Sequence, residues 1–246
     1  MKPDLSIVVP AYNERDRLGG SIQKILSYIG AADIAAELIV VDDGSTDGTS
    51  DVASEAASHF PNTSTQVMRY ADNRGKGFAV RKGLREASAD IALFSDADLS
   101  TPIEELTKLV EPIRSGQVDV AFGSRALDRS LIGTRQPWRR EQGGKVMNLI
   151  IRKMSGLRFS DTQCGFKAFN MRKFRPLLDT MTIDRFGFDV EFLYVAQYHG
   201  LRLVEIPVRW NDVEGSKVSV FRDTRRMFTE LSEIRKNARN GVYDLK

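Results

Sequence analysis

Short apolar runs alternate with helix-like spacers through the first half of this chain. The runs are LSIVV, ELIVV, TQVMRY, DIALF and VDVAF, and polar or glycine-containing turns follow each of them. Strand-length runs separated by helical segments are typical of βα units, in which the strands pair in parallel and the helices cover the sheet. The pattern therefore predicts an α/β fold with a mostly parallel central sheet flanked by helices.

The spacers predict four helices, near residues 14–29, 48–58, 77–87 and 102–115. The last of these has the clearest start signal. Thr101 and Glu104 have the spacing of a capping box, and Pro102 suits the first helical position. Two neighbouring aspartates, Asp96 and Asp98, are therefore expected between the end of a strand and the start of a helix.

The regular alternation ends after Arg125. A basic, glycine-containing segment then leads into an apolar helix near residues 146–154. Two further strands, near residues 167–170 and 201–210, flank a helix that contains the run FGFDVEFLYVAQY. The second half of the chain is therefore expected to be specialised for a different task from the first.

The composition is that of a globular protein with one large core. Of the 246 residues, 41% are hydrophobic and 28% are charged. We predict a single domain, residues 1–246, with a nucleotide-type first half of about residues 1–125 and a specialised second half of about residues 126–246. The single cysteine, Cys164, excludes an intramolecular disulfide, and two histidines are too few for a histidine-rich zinc site.

Neither a membrane span nor a signal peptide is expected from the sequence. No run approaches the roughly 18 apolar residues that a spanning helix needs, and the first residues, MKPDLSIVVPAYNE, lack the longer apolar core of a signal peptide. We therefore expect a cytoplasmic protein that is soluble or peripheral to a membrane.

Positive charge is concentrated in one segment, although the net charge of +3 is too small to indicate nucleic acid as a partner. Between residues 125 and 145 there are two acidic residues and six basic ones: Arg125, Arg129, Arg135, Arg139, Arg140 and Lys145. This excess favours an anionic partner. Trp138, Leu131 and Ile132 lie among these charges, which suits a membrane interface rich in phosphate, whereas a solvated loop is the simpler alternative.

Acidic residues follow three of the predicted strands, in PAYNE, VDDGSTDGT and SDADLS. Ligands of open α/β sheets bind beyond the carboxyl ends of the strands, where these residues are expected to meet. Asp96 and Asp98 would repel each other unless a cation or a shared proton lay between them. The arrangement suits a ribose, a base edge and a divalent cation that carries a diphosphate.

The glycine patterns of P-loops and of dinucleotide folds are absent, so hydride transfer has little support. By contrast, VVPAYNE, VVDDGSTDGT, NRGKG and SDAD resemble, in order and spacing, the inverting family 2 glycosyltransferases. The later segments DTQCGFKAF, GFDVEFLYVAQ and IPVRWNDVEGSKV look like the polyprenyl-phosphate branch, in particular the dolichyl-phosphate β-glucosyltransferases. The resemblance implies a single domain of GT-A fold with a Rossmann-like sheet. In it, about residues 1–125 would form the nucleotide-sugar-binding half, and about residues 126–246 the acceptor-binding, membrane-facing half.

The resemblance also implies a set of site residues. Asp96 and Asp98 would hold Mg²⁺ or Mn²⁺, and the catalytic pair would be Asp98 and Asp161, with Asp161 acting either as a base or in positioning the acceptor. The nucleotide-sugar site would comprise Pro10, Ala11, Tyr12, Glu14, Asp42, Lys76, Asp96 and Ala97. The charge pattern adds Arg125, Arg139 and Arg140 as candidate acceptor contacts.

The implied reaction is metal-dependent transfer of glucose from UDP-glucose to a polyprenyl phosphate, with inversion, at the cytoplasmic face of a membrane. A GDP-mannose-dependent polyprenyl-phosphate mannose synthase is the first alternative. A catalytically idle, basic membrane-binding module is the second, and the intact pair Asp96 and Asp98 argues against it.

Overall fold

The structure is a computed structural model that describes residues 2–134, 138–213 and 220–245, without the side chains of residues 139–140 and 220–225. Its strands are β1 (Leu5–Ala11), β2 (Ala36–Asp42), β3 (Ser64–Arg69), β4 (Ile91–Ser95), β5 (Val120–Ser124), β6 (Phe166–Asn170) and β7 (Leu203–Pro207). In the described residues they form one sheet in the order β3-β2-β1-β4-β6-β5-β7. Of the strands in the described part of the chain, only β6 runs antiparallel to its neighbours, β4 and β5.

The helices are α1 (Arg15–Ala31), α2 (Thr49–Ser58), α3 (Lys76–Glu86), α4 (Leu106–Arg114), α5 (Trp138–Ser155), the short α6 (Met171–Phe174), α7 (Phe188–Tyr198) and α8 (Val220–Arg239). The predicted α/β fold with a mostly parallel sheet is confirmed. The helix that the sequence predicts near residues 146–154 begins eight residues earlier, because its first turns are polar and contain glycine and so lack the apolar signal.

The predicted capping box before α4 does not form. A 3₁₀ turn, Ile103–Glu105, precedes α4, and no side chain caps either element. The Thr101 side chain instead points into the protein, where its hydroxyl oxygen lies 3.7 Å from the sulfur of Cys164. Tertiary packing has therefore overridden a local signal.

Two hydrophobic clusters cover the opposite faces of the sheet. On β1, Val8 belongs to the cluster that contains residues of α3, α7 and α8, whereas Ile7 and Val9 belong to the cluster that contains residues of α1, α2 and α4. This division follows from the two-residue period of a strand, which sends alternate side chains to opposite faces. Both faces of the central strands are buried, which explains why their sequences are almost continuously apolar.

Helix α8 carries apolar residues at helical spacing along one face. Met227, Leu231 and Ile234 are buried in the core, so this face of α8 packs on the protein. Phe228 stays exposed. No helix in the described ranges is long and apolar enough to cross a membrane.

Gly83 lets α3 approach the sheet closely, since a Cβ there would overlap with Val8 and lie 3.0 Å from Cγ2 of Val41. We predict that Gly83→Ala destabilises the protein by about 1–3 kcal/mol, because the extra methyl group overpacks the core. Denaturant unfolding measures the change.

Gly20→Ala is the matched control, because Gly20 lies in α1 and a Cβ there would meet nothing within 4 Å. It should stabilise the protein by about 0.5–1 kcal/mol through helix propensity. Equal effects of the two substitutions would contradict the close-packing argument.

Candidate active site

A cleft of about 440 Å³ lies at the carboxyl ends of β1, β2 and β4. All the residues expected at the nucleotide sugar and metal, with the exception of Asp42, line it: Pro10, Ala11, Tyr12, Glu14, Lys76, Asp96, Ala97 and Asp98. The sheet brings them together because the carboxyl ends of parallel strands meet at one edge. We call this cavity the larger cleft.

Asp42 lies behind the larger cleft and does not line it. It is fully buried, and its carboxylate accepts hydrogen bonds from the Ser45 amide, at 2.8 Å, and from the Ser50 hydroxyl. These contacts fold the loop between β2 and α2. A direct contact of Asp42 with a nucleoside stays a prediction.

Asp43, which the sequence analysis did not select, lines the larger cleft instead. One oxygen accepts from the Tyr70 hydroxyl at 2.7 Å and the Arg74 amide at 2.8 Å. The other accepts from the Asn73 side chain and the Gly75 amide, both at 2.8 Å. Asp43 therefore holds the NRGKG segment that carries Lys76 against the strand ends.

Hydrogen bonds also join the PAYNE loop to the loop after β2. The Asn13 amide donates to the Ser45 hydroxyl, and the Glu14 amide donates to the Thr49 hydroxyl, both at 2.8 Å. The Arg17 guanidinium is hydrogen-bonded to the Glu14 carboxylate, which raises its pKa; Asp98 and Asp96 add smaller effects. Arg17 therefore contributes positive charge to the wall of the larger cleft.

Asp96 forms an ion pair with Lys76, whose Nζ lies 2.5 Å from its carboxylate. Burial raises the pKa of Asp96 although the lysine opposes the shift. Burial would lower the pKa of Lys76, but the charges of Asp96 and Asp189 outweigh it and the pKa is raised. Each charge therefore depends on the other for its stabilisation.

The segment after Asp161 packs directly against Asp96. The Asp96 amide donates to the Gly165 carbonyl at 3.0 Å, and a Cβ at position 165 would overlap with the Asp96 carboxylate. One Asp98 oxygen accepts from the Ser100 amide at 2.9 Å. Backbone contacts thus fix both carboxylates just after the carboxyl end of β4.

The two aspartates suit a metal ion whose remaining ligands come from the bound substrate. Asp96 and Asp98 supply hard carboxylate oxygens, and Mg²⁺ is commonly held by one or two carboxylates together with substrate phosphates. Across residues 2–134, 138–213 and 220–245, no group of three or more His, Cys, Asp or Glu side chains could hold a metal. The two aspartates therefore fit a divalent ion that arrives with a diphosphate.

A second charge pair lies beneath the larger cleft. Lys167 is fully buried, and its Nζ lies 2.5 Å from Asp189 and 2.6 Å from the Cys164 carbonyl oxygen. Glu191 is also buried and accepts from the Thr182 amide. Both acidic residues of helix α7 are therefore hydrogen-bonded.

A second cavity, of about 210 Å³, is lined by two more of the predicted residues, Arg125 and Asp161. We call it the smaller cavity. The Arg125 guanidinium binds Asp161 through two hydrogen bonds of 2.6 and 2.8 Å, and the Arg125 amide donates a third at 3.0 Å. Burial would raise the pKa of Asp161, but Arg125 outweighs it and the pKa is lowered. Asp161 is therefore ionised and already paired.

Glu205, on β7, fixes the loop that carries Asp161. Its carboxylate accepts from the Ser160 and Asp161 amides, at 2.8 and 2.7 Å, and from the Ser124 hydroxyl at 2.7 Å. Trp210 lies beside the pair, with its ring 5.6 Å from the Arg125 guanidinium carbon. The sequence analysis missed both residues because their neighbours come from distant strands.

Helix α5 forms the remaining wall of the smaller cavity through Glu141, Gly144, Lys145 and Asn148. Arg139 and Arg140 lie in its first turn, but their side chains are outside the described structure, as is all of Arg135. Their contact with an acceptor therefore stays a prediction. Leu131 and Ile132, expected at an interface, are half-buried.

The model of glycosyl transferase family 2 matches residues 6–178 of this chain. Two similar proteins are the dolichyl-phosphate β-glucosyltransferases of Homo sapiens and Drosophila melanogaster, both 34% identical. The human alignment covers 98% of this chain and 78% of the relative, and the Drosophila alignment covers 94% and 74%.

Solved structures share the fold. Glucosyl-3-phosphoglycerate synthase from Mycobacterium tuberculosis, in complex with Mn²⁺, UDP and glucosyl-3-phosphoglycerate, superimposes with a TM-score of 0.69 at 19% identity. The match covers 94% of this chain and 80% of that one. The fold is GT-A, and the family match over most of the sequence shows that this chain belongs to the family 2 glycosyltransferases.

Proposed function

We propose that this glycosyltransferase transfers glucose from UDP-glucose to a polyprenyl phosphate, with inversion, and acts peripherally at the cytoplasmic face of a membrane. The observation that carries the proposal is the pair of cavities joined by residues 161–165. Asp161 lines the smaller cavity, while Gly165 contacts Asp96 in the larger cleft. A donor and an acceptor bound in the two cavities would therefore meet at this segment.

The larger cleft suits the donor because it combines two metal-ligating carboxylates with positive charge. Asp96 and Asp98 would hold a divalent ion, which supplies charge neutralisation to the departing diphosphate when bound. Lys76 and Arg17 line the same cleft and bring further positive charge to the phosphates. Asp43 keeps Lys76 in place by ordering the NRGKG segment.

The smaller cavity suits an acceptor that needs no protein base. A phosphate monoester has a second pKa of roughly 6 and is therefore an anionic nucleophile at neutral pH. Asp161, with its lowered pKa and bidentate arginine, is a poor proton acceptor. We assign it the positioning of Arg125, whose planar guanidinium matches phosphate geometry.

The assignment of the sugar and of the nucleotide base rests on similarity to relatives alone. The relatives that are 34% identical are named dolichyl-phosphate β-glucosyltransferases, which favours glucose and a dolichyl-type acceptor. GDP-mannose remains the alternative donor for the same two cavities. The reading as an idle module is disfavoured because both candidate metal-binding aspartates line the larger cleft.

Asp96→Asn and Asp98→Asn should each lower turnover at saturating substrates by about 100-fold or more, because each removes a charged ligand from the diphosphate site. The measurement is UDP release in the presence of polyprenyl phosphate across a titration of Mn²⁺ or Mg²⁺. Asp90→Asn is the control, since Asp90 precedes β4 at its other end and pairs with Lys2. Full activity of both Asp96→Asn and Asp98→Asn would contradict the assignment of these residues to the metal and diphosphate site.

UDP should bind more tightly than GDP when Mn²⁺ is present, as expected of a UDP-glucose-dependent enzyme. Calorimetric titration with both nucleotides measures the preference. A donor panel that contains UDP-glucose, UDP-galactose and GDP-mannose then identifies the sugar. Tighter binding of GDP, with transfer from GDP-mannose, would replace the glucosyl assignment by the mannosyl alternative.

Arg125→Lys should raise the KM for polyprenyl phosphate by about tenfold, because lysine keeps the charge and loses the bidentate geometry. Its affinity for UDP should stay within about twofold of wild type, since Arg125 does not line the larger cleft. Arg114→Lys, on the exposed end of α4, is the control. An unchanged KM for the acceptor would remove Arg125 from the acceptor site.

A further inference from the structure

Helix α5 presents large apolar side chains to solvent on one face. Trp138, Val146 and Leu149 are 70%, 59% and 65% exposed. Their spacings of eight and three residues place them on the same side of a helix, because 3.6 residues make one turn. We call these three residues the outward face of α5. Three large apolar side chains exposed on one side of a helix make that side a candidate interaction surface.

The other sides of α5 are already in use. Ile151 is fully buried in the core, and Met147 and Met154 pack against it. Gly144 and Asn148 line the smaller cavity. The outward face is therefore not a part of the core or of the cavity, but it lies on the same helix as the cavity wall.

Positive charge accompanies these apolar residues. Helix α5 contains one acidic residue, Glu141, and five basic ones: Arg139, Arg140, Lys145, Arg152 and Lys153. Lys145, Arg152 and Lys153 are exposed. A helix with an apolar face, a tryptophan and basic neighbours has the chemistry that binds at the interface of an anionic bilayer.

We propose that the outward face of α5 lies on an anionic lipid bilayer, with Trp138, Val146 and Leu149 at the boundary between headgroups and acyl chains. The smaller cavity would then open at headgroup depth. This consequence rests on the proposed function, because only a lipid-linked acceptor requires that placement. The lipid contact itself follows from the exposure and charge of α5.

A second copy of this chain is a less suitable partner. A twofold interface places the same surface on both subunits, so the net positive charge of α5 would face an equal positive charge on the second copy. Like charges at a shared interface repel. An anionic bilayer instead satisfies the apolar and the basic side chains together.

The test is co-sedimentation with vesicles that contain no polyprenyl phosphate. Wild-type protein should bind vesicles of phosphatidylcholine with about 30% phosphatidylglycerol and should bind weakly to phosphatidylcholine alone. The double variant Val146→Asn/Leu149→Asn should bind anionic vesicles about tenfold less tightly. Arg152→Gln/Lys153→Gln should also weaken binding and should reduce its dependence on salt.

Val242→Asn/Leu245→Asn is the control, since these apolar residues are also exposed but lie outside α5. It should bind vesicles as wild type does. All variants should keep the wild-type affinity for UDP, which shows that they are folded. Trp138 emission, measured with Trp210→Phe, should shift to shorter wavelength on addition of anionic vesicles.

Unchanged vesicle binding of Val146→Asn/Leu149→Asn would overturn the proposal. A dimer in solution that this variant abolishes, without vesicle binding by wild type, would identify a second copy as the partner. If the protein glycosylates a detergent-solubilised acceptor but does not bind vesicles, the bilayer contact of α5 is wrong and the proposed function stands. If the protein binds vesicles but transfers sugar to no lipid phosphate, the proposed function is wrong and the bilayer contact stands.

Discussion

The architecture of the site depends on the neutralisation of buried or partly buried carboxylates at one edge of the sheet. Three pairs do this: Lys76 with Asp96, Lys167 with Asp189, and Arg125 with Asp161. A buried carboxylate without a partner would take up a proton or destabilise the fold. In each pair the two partners come from different elements of the fold, so the site can form only once the sheet has assembled.

Other acidic residues hold the loops that present these pairs. Asp43 accepts hydrogen bonds from the NRGKG segment, and Glu205 accepts them from the loop that contains Asp161. Glu191 accepts them from the amides of Thr182 and Ile183. In each case a carboxylate accepts hydrogen bonds from backbone amides, and hydrogen bonds to an ionised acceptor are stronger than those between neutral groups. Both cavities are therefore preorganised by main-chain contacts, as a site that stabilises developing charge requires.

The first and second halves of the chain meet through β6, the antiparallel strand between β4 and β5. The segment before it passes from the smaller cavity to the larger cleft, because Asp161 pairs with Arg125 and Gly165 packs on Asp96. Fold and family membership follow from the comparisons, while the two-cavity arrangement gives the proposed donor and acceptor separate places. Helix α5 both lines the smaller cavity and presents exposed side chains at the molecular surface.

The sequence by itself determined the strands, most of the helices and the acidic strand ends, because burial period and turn chemistry are local properties. It could not determine which of the adjacent aspartates Asp42 and Asp43 faces the larger cleft, since successive residues at a strand end point in opposite directions. The tertiary structure alone decided that Thr101 points inward, that α5 begins at Trp138, and that Glu205 supports Asp161. These features depend on contacts between segments far apart in the chain, which no local pattern records.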